Sequence, residues 1–91
     1  MQSTLHIQIF GTVQGVFFRR ETYTLAKTLG LTGWVKNLED GSVEILVNGT
    51  KQKLEKLLEW CYSGPVGAKV TKVNFDWIDS TSEFQEFIII R

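Results

Sequence analysis

Ninety-one residues with ten basic and ten acidic side chains carry no formal net charge. A chain of this size and balance offers one domain (residues 1–91) with one modest core. It has no bulk electrostatic pull toward nucleic acid or an anionic membrane, so any anion must be held by local geometry. The single cysteine, Cys61, excludes an internal disulfide and fits a reducing compartment. No basic stretch followed by an apolar run opens the chain, and no segment reaches membrane-spanning length. The expectation is a cytoplasmic protein without a membrane partner. Asn48-Gly49-Thr50 matches a glycosylation sequon, read as chance in the absence of a secretory signal.

Leu5, Ile7 and Ile9 alternate with His6, Gln8 and Phe10, the period of a half-buried strand that ends at Gly11. Phe18, Thr22, Leu25, Ala26 and Leu29 follow helical spacing and Gly30 supplies the stop, so a first helix is predicted from Phe18 or Arg19 to Leu29. Leu31 to Leu38 reads as a second strand. Asp40-Gly41 between apolar runs is a hairpin signal, and Val43, Ile45 and Val47 give a third strand. Thr50 can cap a second helix whose apolar stripe is Leu54, Leu57, Leu58 and Cys61. Ser63 to Gly67 is a loop, Ala68 to Trp77 a fourth strand with Thr71, Val73, Phe75 and Trp77 on one parity, Asp79 to Ser82 a polar loop, and Phe84 to Arg91 a fifth strand. Two split β-α-β units in this order predict a ferredoxin-like α+β sandwich, with two helices on one face of a mostly antiparallel four- to five-stranded sheet. The turn from the first strand into the first helix is expected at one sheet edge.

That turn, Gly11-Thr-Val-Gln-Gly-Val-Phe-Phe-Arg-Arg20, is the first informative stretch. Glycine lets the backbone turn through positive φ, and successive N–H groups can then face one concavity. The first N–H groups of the helix lack internal partners and favour negative charge. Arg19 beside them adds a planar fork matched to phosphate or carboxylate. By shape alone, a solvated arginine pair on a glycine-containing turn is an equal reading. The spacing is neither that of a nucleotide-binding P-loop nor that of a dinucleotide fingerprint.

The second stretch is Gly33-Trp34-Val35-Lys36-Asn37-Leu38-Glu39-Asp40-Gly41-Ser42-Val43. Together with Gly11 to Arg19 it closely resembles the acylphosphatase family, over nearly the whole chain and including the Leu29-Gly30-Leu31 link and the Gly64-Pro65 loop. The resemblance implies hydrolysis of the carboxyl–phosphate anhydride of small acyl phosphates, without metal, cofactor or phosphoenzyme, by a monomer. It also implies inorganic phosphate as product or inhibitor. The family's catalytic arginine falls on Arg19 and its catalytic asparagine on Asn37. The phosphate-binding loop falls on Gln14, Gly15, Val16, Phe17, Phe18 and Arg19. Many members have a small residue, often glycine, where this chain has Phe17, and a ring there can reshape the mouth of the site.

Chemistry agrees with the resemblance. A carboxylate with a conjugate-acid pKa of about 4 leaves without a strong general acid, which suits a sequence with no paired histidine or carboxylate motif. Each residue also has a plainer reading. Asn37 before a hairpin is by itself a turn former. Gln14 serves equally as a ligand contact or as a loop-stabilising amide. Arg20 reads as a solvated helix residue that adds positive potential. His6 has no partner at metal-ligand spacing; Cys61 reads as packing, and Trp34, Trp60 and Trp77 as core or half-core. RNA-recognition domains share the element order, but Ser42 to Asn48 lacks their stacking aromatics. A non-catalytic anion-binding regulatory module of the same fold is the alternative of a different class.

Overall fold

The alternation read in the sequence becomes a sheet with one fully buried apolar face and one more open face of mixed polarity. A computed structural model of the chain describes residues 2–79 and 83–91. The elements are β1 (Ser3–Thr12), α1 (Phe18–Thr28), β2 (Thr32–Asn37), β3 (Val43–Gly49), α2 (Lys51–Cys61), β4 (Lys69–Ile78) and β5 (Phe87–Ile90). The sheet order is β4-β1-β3-β2-β5, antiparallel except where β5 runs parallel to β2. Leu5, Ile7 and Ile9 of β1, Val43, Ile45 and Val47 of β3, Val35 of β2 and Phe87 of β5 are all buried. Cross-strand partners share a face, so these residues line the side on which the helices pack. The fold is the ferredoxin-like α+β arrangement expected.

Both helices form where their residues specify. Thr22 and Ala26 of α1 are buried a turn apart, with Phe18 at its start. In α2 the stripe Leu54, Leu57 and Cys61 is buried, and Leu58 packs partly against it. The Thr50 hydroxyl accepts from the Lys53 N–H at 3.4 Å, the cap the sequence indicates. α1 covers β2 and β5, and α2 covers β1 and β3. Burial pushes the Cys61 thiol well above its ordinary pKa, which fits the packing role.

Three expectations change. The β1–α1 turn is not at a sheet edge, because β1 lies between β4 and β3. The fifth strand begins at Phe87 rather than Phe84, since its parallel partner β2 offers pairing only from Gly33 onward. Of the predicted polar loop, Ser80 to Ser82 lie outside the described residues. Trp34 and Trp60 are half-buried, as a core or half-core reading expects, whereas Trp77 on the edge strand β4 is 40% exposed. Phe75 shares its parity and exposure, because β4 extends beyond the cover of α2.

Candidate active site

The Gly11–Arg20 turn is pinned at both ends and open in the middle. β1 and β4 lose register between Phe10 and Gly11, a bulge that bends the strand out of its ladder. Gly11 adopts φ 127° there, with no room for a Cβ beside the Lys69 carbonyl. Val13 and Phe18 are then buried as anchors, and the Phe18 ring packs against Trp60 with centroids 5.1 Å apart. Between the anchors, Gly15 and Phe17 both take left-handed backbone, at φ 76° and 66°. Glycine adopts this freely; phenylalanine adopts it only where the surrounding structure compels it. The Phe17 ring is 67% exposed at the mouth of the site.

This path leaves a row of donors. Among the described residues, the first N–H of α1 to bond within the chain is that of Glu21, which donates to Phe17 O at 2.9 Å. The N–H groups from Gly15 to Arg20 make no hydrogen bond with described residues. They lie at the positive end of the helix, where an anion is favoured. Arg19, half-buried in the first turn of α1, lines the same cleft.

Gln14 has one of the two roles left open by the sequence. Its Nε2 donates to Leu38 O at 2.7 Å and to Ser42 O at 2.9 Å. Those two carbonyls also close the β2–β3 hairpin, accepting from Gly41 N and Leu38 N. The amide therefore ties the anion loop to the hairpin that carries Asn37. Asp40 closes the hairpin from the other side, accepting from the Ser42 hydroxyl at 2.6 Å and the Ser42 N–H at 2.9 Å. These two bonds, the hydroxyl's first, hold the Asp40 carboxyl below its ordinary pKa.

Asn37 ends β2 on the helix-side face and lines the cleft with Arg19 and Gly15. Its Oδ1 is buried without a hydrogen-bond partner among the described residues. Buried side-chain oxygens are seldom left so, and a catalytic role or an ordered water is what accounts for those that are. A turn-forming asparagine would spend this oxygen on the backbone; Asn37 does not.

The cleft measures about 800 Å³ and continues past these residues along α1 and β5. Its walls include Tyr23, Arg20, Glu86, Ile89 and Arg91, none of which the sequence analysis placed in the site. Arg91 follows the last β2–β5 pair, Lys36 with Ile90, and so falls beside Asn37. Only the parallel pairing brings it there. His6 lies on the other face of the sheet, with Nε2 2.7 Å from Glu44 Oε2. Among the described residues no group of His, Cys, Asp or Glu is placed to hold a metal ion.

Comparison with known proteins agrees with this geometry. The family model described as Acylphosphatase matches residues 5–89. The chain belongs to the acylphosphatase family. It is 46% identical to the acylphosphatase of Pelotomaculum thermopropionicum, over 92% of this chain and 91% of that one. It is 42% identical to that of Thermoplasma volcanium over the full length of both. The crystal structure of acylphosphatase from Bacillus subtilis superposes with a TM-score of 0.94, at 35% identity and complete coverage of both chains. Its activity is accordingly the hydrolysis of acyl phosphates. No helix among the described residues is long and apolar enough to cross a membrane.

Proposed function

We propose that this hydrolysis proceeds by in-line attack of a water positioned by Asn37 on a phosphoryl group held by Arg19 and the loop N–H groups of Gly15 to Arg19. The observation that carries the reading is the free Asn37 amide, with its buried unpaired Oδ1, in the same cleft as the unused donors. Phosphoryl transfer depends chiefly on positioning and charge stabilisation. The guanidinium and the N–H row neutralise the phosphoryl oxygens. The Asn37 Oδ1 accepts a hydrogen bond from the water and leaves the water's lone pair facing phosphorus. The new P–O bond forms as the bond to the acyl oxygen breaks. The carboxylate departs without a proton, and the water's proton passes to a phosphoryl oxygen, because an amide is too weak a base to take it.

The charge of the site comes from its own side chains and N–H groups, so hydrolysis needs no metal. Arg19, Asn37 and the loop N–H row meet in one cleft without a residue from a second copy, so the site we propose is suited to a monomer. A reducing cytoplasmic setting suits the lone buried thiol. Inorganic phosphate, with the charge and shape of the transferred group, is both product and competitive ligand. The test is release of phosphate from a small acyl phosphate in excess chelator, compared with an alkyl phosphate monoester. Rapid turnover of the first and slow turnover of the second is the expected result, since only the first has a good leaving group. Loss of activity in chelator with recovery on adding a divalent ion, or comparable kcat/KM for both substrates, overturns it.

A further inference from the structure

In-line displacement fixes where the acyl group leaves. The attacking and departing oxygens lie on opposite sides of phosphorus, so a water held by Asn37 sends the acyl oxygen away from β2. Arg91 and the β5 wall lie beside Asn37, on the side of the water. Across Phe17 from Asn37, the loop borders a second hollow of about 350 Å³, which shares Phe17 and Arg20 with the cleft. Among the described residues, none of β2 or β5 lines it. Its other walls are Val16, Pro65, Val66 and Glu21. The charges of Arg20 and Glu21 cancel, and the remaining side chains are apolar.

Both sides of this hollow are held in place from behind. Val66 stands fully exposed on a turn that Gly64 presses onto the Phe18 ring, where a Cβ has no room. The Gly64 N–H donates to Trp60 O at 2.8 Å, and Pro65 O accepts from the Ala68 N–H at 3.1 Å. On the other side, Phe17 keeps left-handed backbone while its ring stays in solvent. Strain of this kind persists where it serves a function, and adjoining exposed apolar side chains with a polar rim mark a binding groove. We propose that this hollow seats the acyl group and selects acyl phosphates with an extended, unbranched alkyl chain over those with a short one. This rests on the hydrolytic reading of the site. The chain passes from the phosphoryl group over the Phe17 ring and lies between that ring and Val66. The balanced pair Arg20 and Glu21 gives a charged tail no advantage there.

The test compares octanoyl phosphate with butanoyl phosphate, whose leaving carboxylates are close in basicity. A methylene fully withdrawn from water contributes about fourfold to affinity, and one half covered in an open hollow about twofold. The methylenes that separate the two substrates therefore raise kcat/KM for octanoyl phosphate roughly 15-fold in the wild type, chiefly as a lower KM. In Val66→Glu, which puts a carboxylate against the chain, the ratio falls to near one. In Phe17→Gly, which removes the ring, it falls as well; both substrates present the same phosphoryl group, so any change in anion binding cancels in the ratio. Val66→Ser, a milder change at a side chain that meets solvent alone, lowers the ratio part of the way and serves if Val66→Glu does not fold. A wild-type ratio near one, or a ratio that all three variants leave unchanged, overturns the subsite and leaves the hydrolytic reading intact. If neither compound is hydrolysed, both readings fall.

Discussion

Gln14 links the two halves of the site, and its removal should be felt in both stability and turnover. Its two hydrogen bonds, at 2.7 and 2.9 Å, reach carbonyls that each keep one other donor. Neither Leu38 O nor Ser42 O is orphaned when Gln14 goes, so each bond contributes an ordinary ~0.5–1.5 kcal/mol. Gln14 is half-buried, which favours the lower part of the sum. Gln14→Ala should therefore destabilise by about 1–2 kcal/mol, roughly 4–16 °C in melting temperature for a domain of this size. Gln14→Glu is the sharper variant. It keeps the shape but turns a carboxylate oxygen toward two carbonyl oxygens, so at neutral pH it should be worse than alanine. Because the tie holds the Asn37 hairpin, kcat should fall in both variants once folding has been confirmed by circular dichroism. Denaturant unfolding and steady-state kinetics on an acyl phosphate measure both effects. A Gln14→Glu protein within ~0.3 kcal/mol of wild type and with unchanged kcat would refute the reasoning.

Leu57 is fully buried at the centre of the α2 stripe; Leu57→Ala should destabilise by about 2–5 kcal/mol in denaturant unfolding, and a change under ~0.5 would contradict the placement. Phe17 holds left-handed backbone while its ring is exposed. Phe17→Gly removes that strain, of about 1–2 kcal/mol, at the expense of added freedom in the unfolded chain, so thermal unfolding should show a gain of up to about 1 kcal/mol; a clear loss would mean that the ring contributes packing. Asp40 titrates below its ordinary value because the charged form is hydrogen-bonded in the fold. That stabilisation is present above the unfolded pKa near 3.8 and is lost as pH falls through the lower folded value. The stability gap between wild type and Asp40→Asn should thus hold steady from pH 7 to about 5 and shrink below about 4; a gap that widens on acidification would reverse the assignment.

Element order, helix limits and the apolar faces could be read from periodicity because a half-buried strand and an amphipathic helix write their burial locally. Sheet order could not: whether the β1–α1 turn leaves an edge or an inner strand depends on where β4 pairs, a contact made late in the chain. The start of β5 escaped for the same reason. The apolar residues between Phe84 and Ile90 invite a longer strand, but β2 pairs with this segment only from Phe87 onward. At the site, the two motifs singled out Arg19 and Asn37, and the fold brings both to one cleft. The left-handed turn at Phe17 ran against local propensity and follows from anchors on either side, Val13 and Phe18. Gln14 left two roles open in the sequence; only the approach of the hairpin carbonyls decides between them. Arg91 carries no motif, and parallel pairing alone brings it beside Asn37.

The division of labour between Arg19 and Asn37 is tested most directly by the stabilisation that inorganic phosphate gives to wild type, Asn37→Ala and Arg19→Ala. A ligand that binds only the folded chain at a hundredfold excess over its Kd adds about 2.7 kcal/mol, on the order of 10–20 °C here. Phosphate should raise the melting temperature of wild type and of Asn37→Ala by similar amounts, since the role proposed for Asn37 is to position water rather than the anion, and should do little for Arg19→Ala at the same concentration. Equal stabilisation of Arg19→Ala and wild type, or loss of the effect in Asn37→Ala alone, would contradict the assignment.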